Sequence, residues 1–531
     1  MTGPRTAKLD HMLEAFSGGD VRAAEAPLID AGQGDALMQR AAHGLFGVAL
    51  GLLREAGRST YGATAVVLAG SGNNGADALY AGERLVRRGV GATAVLLSDR
   101  VHTASLDAFL RAGGTSVRLD DGADAEALAV HAASADLVLD GIIGTGSGGN
   151  LRGTARSFVE AFTTVAGPRG RRTALVIACD LPSGIGVDTG RVDGPVIAAD
   201  ATVTFGAAKP GLLLGDGALA AGELNVVDLG LDLSALTPAV RSLLDADVAA
   251  LLRRPTAQDH KYSRGVLGVA AGSARYPGAA ALAVGAALAM GLGMVRYLGP
   301  DAVAALVHQR NPEVVASGGS VGEARSQAWL VGPGAVDDED QRVRAVEAIA
   351  AGLPVVVDAG ALSEVPERVG PQVILTPHAG ELSQLLAGRG VDADRAAIEA
   401  EPAHYALRAA EMTGATVLLK GFTTVVAAPS GTLFAQTDAS PWLSTAGSGD
   451  TLAGIIGALA ATLAEDDGAA GRVGVAQEDL WAAAAAAGAL LHGRAGQRAA
   501  LRGPVVVSTL PADIGAVVAD LLEGRRLAAV P

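Results

Sequence analysis

Residues 444 to 459 read STAGSGDTLAGIIGAL, and one acid, Asp450, follows a glycine-punctuated turn at the head of an apolar run. Gly447 and Gly449 let backbone amides crowd around a single anion, and a helix behind them would add the positive end of its dipole. An acid held beside a cradled phosphate suits phosphoryl transfer to a hydroxyl, with Asp450 as the base that takes the hydroxyl proton. The plainer reading is a glycine helix start with an N-terminal acid, because short glycine patterns recur by accident.

Lysine is the second signal. Among 41 Lys plus Arg residues it stands only at Lys8, Lys209, Lys261 and Lys420. A compact ammonium on a flexible stem is not interchangeable with a guanidinium, so a chain that otherwise uses Arg draws attention to these positions. Three of them lie in the strings FGAAKPG, HKYSRG and VLLKGFTT. Chance in an Arg-biased composition is the competing explanation.

A second group of polar residues follows β-rich runs in the first half. SGNNGADAL supplies Asn73, Asn74 and Asp77, LDGIIGTGSGGN begins at Asp140 with its leucine, and CDLPSGIGVDTG supplies Asp180 and Ser183. Carboxylates, amide oxygens and a hydroxyl are hard ligands, suited to a hard cation rather than to zinc or copper. Glycine turns at helix starts could hold a dinucleotide phosphate, although the glycine spacing of a Rossmann coenzyme fingerprint is absent. Each string alone also reads as an ordinary strand-to-helix turn. Three of them after strands of one sheet favour a site.

The elements that must position these residues alternate. Runs at 63 to 70, 92 to 98, 135 to 144, 173 to 180 and 201 to 206 are short and β-rich, and helical stretches separate them. Such alternation predicts a parallel sheet covered by helices on both faces, where ligands bind beyond the carboxyl ends of the strands. An amphipathic helix is predicted over 34 to 57 ahead of them. The segment 234 to 258 breaks the alternation and marks a domain boundary. A second series follows at 266 to 272, 329 to 334, 354 to 360, 372 to 378 and 415 to 421, and Ser430 and Gly431 form the turn of a hairpin leading into the opening loop.

Composition sets the outer limits. At 531 residues the chain exceeds one ordinary domain, and two cores of about 200 to 280 residues are the natural division. Ala and Gly dominate the apolar half while aromatics are only 3%, which suits helices packed closely on sheets. The net charge of -15, with no basic tract, argues against nucleic-acid and anionic-membrane partners. A single cysteine, Cys179, excludes an intrachain disulfide framework and fits a reducing compartment; its apolar surroundings predict a buried, inert thiol. Residues 1 to 20 lack the apolar core of a signal peptide, so a cytoplasmic protein is expected. The uncharged span from Tyr276 to Val295 is too rich in Ala and Gly for a membrane helix and is predicted to be a buried one.

These strings resemble two families in succession. The first-half blocks, with TFGAAKPGLLLG, resemble NAD(P)H-hydrate epimerase, while HKYSRGVLGVAAGSARYPGAAALA, VVVDAGAL, ILTPHAGEL, LLKGFTT and the opening loop resemble ADP-dependent NAD(P)H-hydrate dehydratase. Their order is that of the bifunctional bacterial fusion. The resemblance implies a Rossmann-like three-layer sandwich over residues 20 to 236 and a ribokinase-like three-layer α/β domain over 245 to 531. It implies repair of hydrated NADH and NADPH: the first domain interconverts the R and S epimers, and the second removes water from the S form at the expense of ADP, giving AMP and phosphate.

Carried over residue by residue, Asn73, Asn74, Gly75, Ala76 and Asp77, with Gly144, Thr145, Gly146, Ser147, Gly148, Gly149 and Asn150, contact the hydrated cofactor. Asn74, Asp140 and Ser183 bind potassium, and Asp180 meets the hydrated ring as the epimerase acid/base. In the second domain Ala279, Gly334 and His378 line the hydrated-nicotinamide pocket; Lys420, Gly421, Phe422, Thr423, Thr424 and Gly449, with Gly447 in the same loop, hold the adenosine nucleotide, and Asp450 is the base. Glu381 falls where kinases of this fold keep a magnesium-orienting glutamate, or is simply a helix N-terminal acid. The implied cofactors are potassium and magnesium, with ADP as co-substrate, and a homo-oligomer is expected.

Ala76 and Ala78 replace glycines usual in the first loop, and Gly360 replaces an acid in the DAGAL string. Added methyls at positions of unusual backbone geometry are expected to reshape the cofactor loop. The alternative function is a vitamin-precursor kinase, of the hydroxymethylpyrimidine or thiazole type, with a noncatalytic nucleotide-binding module.

Overall fold

The computed structural model describes residues 11–119, 124–146 and 149–525. They form two compact units, one holding Glu14–Ala239 and the other Val240 onward together with residues 11–13. A three-residue strand, β1 (Leu13–Ala15), comes first.

The first unit is built on seven strands: β2 (Thr64–Ala69), β3 (Gly91–Leu96), β4 (Thr115–Arg118), β5 (Leu137–Gly141), β6 (Leu175–Cys179), β7 (Ala201–Phe205) and β8 (Glu223–Val227). Their order is β4-β3-β2-β5-β6-β7-β8, with every neighbouring pair parallel. Successive residues of a strand point to opposite faces, and β2 shows the consequence. Ala65, Val67 and Ala69 join a core with the helices Gly34–Glu55 and Asn73–Val86, whereas Val66 and Leu68 join a core with the helices Ala125–Ala133 and Gly153–Ala166. Both faces are therefore covered, which is why these strands read as continuous apolar runs. The chain leaves β2 in one direction and returns on its other side at β5, so the loops after β2 and β5 diverge and open a crevice there. The helix Gly34–Glu55 is long and apolar enough to cross a membrane by length and composition, yet Ala42, Leu45, Ala49 and Leu53 on it are buried against this unit.

The second unit carries β9 (Val240–Ser242), β10 (Val266–Ala270), β11 (Met294–Leu298), β12 (Val315–Ser317), β13 (Ala328–Val331), β14 (Val355–Val357), β15 (Val373–Leu375), β16 (Thr416–Leu419), β17 (Thr424–Ala427) and β18 (Leu433–Gln436). From β9 the order is β9-β18-β17-β16-β15-β14-β13-β10-β11-β12. Pairing is parallel from β12 to β16, and the β16–β17 and β17–β18 pairs are antiparallel. The expected hairpin is β17–β18, turning at Gly431 with φ 98°. The reversal of strand order lies between β10 and β13. Helices Pro277–Ala289, Ser448–Leu463 and Leu480–Ala500 pack their small residues into one large core on the sheet, and the apolar span at 276 to 295 is accordingly a buried helix followed by β11. The run of alanines at 482 to 487 is wholly buried, since only a side chain this small lets neighbouring helices approach so closely.

Six strands, β1, β4, β8, β9, β11 and β12, were not among the predicted runs. They are short or lie toward the sheet edges, where a strand needs fewer apolar residues.

Candidate functional sites on two units

In the first unit the helix Asn73–Val86 starts directly after the β2 loop, with Asn73 exposed at its first position and Asn74, Gly75, Ala76 and Asp77 buried in its first turns. The string is thus mostly helix rather than turn. Ala76 and Ala78 consequently do not reshape the loop: both have regular helical backbone, and Ala78 occupies the space that Gly141 leaves by lacking a Cβ. Gly75 is needed instead, because a Cβ there would lie 2.5 Å from the Gly70 carbonyl oxygen.

Asp140 ends β5 and is fully buried; its carboxylate accepts from the Ser183 amide at 2.9 Å and from Ser183 Oγ at 2.7 Å. Burial pushes its pKa up, against the lowering effect of those bonds. Asn74 Nδ2 and Asp77 Oδ1 are buried without a hydrogen-bond partner among the described residues. A Cβ on Gly144 would stand 3.1 Å from Asn74 Cγ and 3.3 Å from Asp180 Oδ2, so these residues share one small volume. Gly149, with φ 89°, turns the chain against Ile185, while Gly146 and Asn150 lie on the surface and Ser147 and Gly148 fall outside the described residues.

Asp180 is held in the left-handed region, φ 64°, which costs a non-glycine residue roughly 1 kcal/mol and persists where the surroundings over-determine it. Here they do. Asp180 Oδ1 accepts from Lys209 Nζ at 2.5 Å and Thr204 Oγ1 at 3.1 Å, and Oδ2 accepts from the Thr145 amide at 3.3 Å. Lys209 is buried and spends its remaining donors on Thr204 Oγ1 and the Phe205 carbonyl. Lys209 was absent from the candidate site residues, although the scarcity of lysine had marked its string. Burial, with Asp180 and Glu25 adding negative charge nearby, raises the Asp77 pKa well above the usual carboxylate range. Cys179 is buried in the core, as expected, and burial drives its thiol pKa far up.

In the second unit Gly447, φ 88°, caps the helix Ser448–Leu463 and puts Asp450 in its first turn. Lys420 Nζ would lie 3.6 Å from a Cβ on Gly449. The same ammonium donates to Asp358 Oδ1 at 2.8 Å and stands 3.7 Å from Glu381 Oε2. Burial alone would lower the Lys420 pKa, but Asp358, Glu381 and Asp450 outweigh it and the net shift is upward. Asp450 is raised to about 6, by burial first and by Asp358 second, against the lowering influence of Lys420. That value suits a base working near neutral pH.

Glu381 is the third residue of the helix Ala379–Ala387 and caps it reciprocally with His378: the His378 amide donates to Glu381 Oε2 at 2.8 Å, and the Glu381 amide to His378 Nδ1 at 3.1 Å. Glu381 is thus the helix N-terminal acid of the plainer reading, and it also stands near the Lys420 ammonium. His378 pairs with Lys420 in a parallel bridge, which places the expected nicotinamide and nucleotide residues side by side. Gly334, φ 63°, approaches Ala279 so closely that a Cβ would be 2.6 Å from the Ala279 methyl, and both sit at the β10/β13 reversal. Past Lys420, Thr423 Oγ1 is buried without a partner among the described residues, Thr424 is buried and Phe422 is 42% exposed. A cleft of about 800 Å³ runs beside Glu381, with Gly360, Leu362, Gln384 and Arg389 in its wall. Asp358 was also missed; like Asp140 and Asp180 it closes an apolar strand run, and that pattern could have found it. Its neighbour Ala359 has φ 46°, a second strained residue beside a buried acid.

Residues 267–518 match the NAD(P)H-hydrate dehydratase family and residues 34–211 the YjeF-related protein N-terminus family. A bifunctional NAD(P)H-hydrate repair enzyme of Mycobacterium tuberculosis is 42% identical over 461 residues, covering 85% of this chain and 90% of that protein. The chain belongs to the bifunctional NAD(P)H-hydrate repair enzyme family. An NAD(P)H-hydrate epimerase of Clavibacter sepedonicus is 43% identical over 232 residues, covering 43% of this chain and 96% of that protein. The second half is also similar to an ADP/ATP-dependent NAD(P)H-hydrate dehydratase from Bacillus subtilis, crystallised with ATP and magnesium, at 27% identity and a TM-score of 0.45, covering 52% of this chain and 97% of that one. Membership of the repair-enzyme family spans both units, which sets aside the vitamin-kinase alternative.

Proposed function

We propose that this chain restores hydrated NADH and NADPH, with the first unit interconverting the R and S epimers and the second dehydrating the S epimer while ADP becomes AMP and phosphate. The observation that carries the reading is the relation to bifunctional repair enzymes across both units, each of which holds a lysine–carboxylate pair at a strand end, buried in the first unit and partly buried in the second.

In the second unit Asp450 takes the proton from the ring hydroxyl as that oxygen attacks the β-phosphorus of ADP. The amides around Gly447 and Gly449 hold the transferring phosphoryl, and Lys420 balances the charge of the nucleotide. The phosphorylated hydroxyl is then a good leaving group: phosphate departs with the carbon–oxygen bonding pair, the adjacent ring carbon gives up a proton to solvent, and the C=C bond of the reduced nicotinamide forms. Asp358 and Glu381 both lie within 4 Å of the Lys420 ammonium, two hard carboxylates that would hold a magnesium ion there. When bound, magnesium neutralises phosphate oxygens.

In the first unit Asp180 exchanges a proton with the hydrated ring while Lys209 fixes its orientation. Asp140, Ser183 and Asn74 fit potassium: they offer one charge and hard oxygens, and among the described residues no Lys or Arg forms an ion pair with Asp140. When bound, potassium compensates that buried charge and offers a cation to the oxygens of the ligand.

The test is incubation with heat-hydrated NADH, following the absorbance of reduced nicotinamide with and without ADP. Full recovery of both epimers only with ADP is expected; recovery that ignores ADP would sink the reading.

A further inference from the structure

The helix Gly18–Asp30 precedes the segment that matches the epimerase-type family, 34–211, yet it is built against the first-unit site. Three residues on one face, spaced i, i+4 and i+7, make the connection. The Gly18 amide donates to Asp188 Oδ1 at 2.7 Å, and Arg22 Nη1 donates to the Thr145 carbonyl at 2.7 Å, on the residue whose amide binds Asp180. Glu25 is the next residue on that face. Val21, four positions before Glu25, packs with Phe16 and Ala207, two residues before Lys209 in the loop that presents it. This anchoring sets the face that carries Glu25 on the side of the Thr145 and Ala207 segments, which carry the Asp180 and Lys209 contacts, and leaves Glu25 half-buried.

We infer that Glu25 is the second proton-transfer group of the epimerase site, acting with Asp180. The inference rests on the epimerase reading above. Inversion at the hydrated carbon needs two proton transfers. One carboxyl gives its proton to the ring hydroxyl, the carbon–oxygen bond breaks with its electron pair on oxygen, water departs, and the ring nitrogen lone pair forms a C=N bond. Water then adds from the opposite face, the electron pair returns to nitrogen, and the new oxygen gives its surplus proton to the other carboxylate. The two carboxyls have exchanged roles, and a group open to solvent is needed to reset them. Asp180 is locked by three donors; Glu25 has the access.

The charged groups that act on Glu25 are Lys209, Asp180 and Arg22, and Glu25 in turn acts on Asp77. Burial raises its pKa first, Lys209 opposes this, and Asp180 adds to it.

The experiment uses the full chain with the purified R epimer of hydrated NADH and no ADP, and separates the epimers chromatographically over time. Glu25→Gln is expected to lower kcat for interconversion at least tenfold with KM nearly constant, and to remove one limb of the kcat pH profile, while Glu25→Asp recovers part of the rate. Wild-type kcat and an unchanged profile in Glu25→Gln would overturn the inference, as would a rise in KM alone. A wild-type protein that fails to speed interconversion would overturn the epimerase reading itself, a result distinct from a silent Glu25 substitution.

Discussion

Lys420 Nζ lies 2.8 Å from Asp358 Oδ1 at the foot of the loop that presents Asp450. The pair comes from the ends of two strands, β14 and β16, separated by β15, and it sets the electrostatics of the base. With Asp358 raising and Lys420 lowering it, Asp450 rests near the pH at which it must work.

Asp450→Asn is expected to abolish ADP-dependent recovery of NADH, by about a hundredfold or more, since the base is removed. Turnover with heat-hydrated NADH checks this, and wild-type rates in a folded mutant would refute the assignment.

The same substitution is expected to stabilise the fold at neutral pH. A carboxyl whose pKa is raised to about 6 in the folded state, from an ordinary 3.8, contributes stability that is complete below pH 3.8 and lost as pH rises through 6. Asn carries no such loss. Melting at pH 8 should show Asp450→Asn more stable by about 3 kcal/mol, with the difference vanishing near pH 3.

The kcat/KM of dehydration should fall about tenfold per unit below pH 6, because Asp450 must be ionised to accept the hydroxyl proton. Lys420→Met should move this acid limb to higher pH, since the ammonium holds the Asp450 pKa down, and should raise the KM for ADP. A limb that stays in place, with weaker binding of hydrated cofactor rather than ADP, would reverse the placement of the two ligands.

Asp180→Ala should abolish accelerated conversion of R to S while the S epimer is still dehydrated, giving a fast phase followed by a slow one on mixed epimers. Lys209→Met should resemble it, because Asp180 then loses the donor that fixes Oδ1. Equal recovery of both epimers by either variant would leave the first unit without an epimerase role for this pair.

Replacing potassium by tetramethylammonium should slow that same slow phase in the wild type, and Asn74→Ala should mimic it. Rates that do not respond to the cation would remove potassium from the site.

The sequence by itself determined what is local. Apolar runs marked most strands, and the acids closing them marked where chemistry could gather. Gly447 before Asp450 specified a helix start, since a positive φ is a property of a few adjacent residues. Only the tertiary structure decided which groups meet. Lys209 reaches Asp180 across 29 residues, and Lys420 reaches Asp358 across 62. The helix Gly18–Asp30 reaches the Thr145 carbonyl through Arg22, though no local motif ties it to that site. Such meetings depend on strand order and on the direction of each crossover, which no single stretch of residues encodes. Burial then acts on the assembled groups, raising Asp77 and Asp450, because desolvation exists only once the surrounding chain has closed over them.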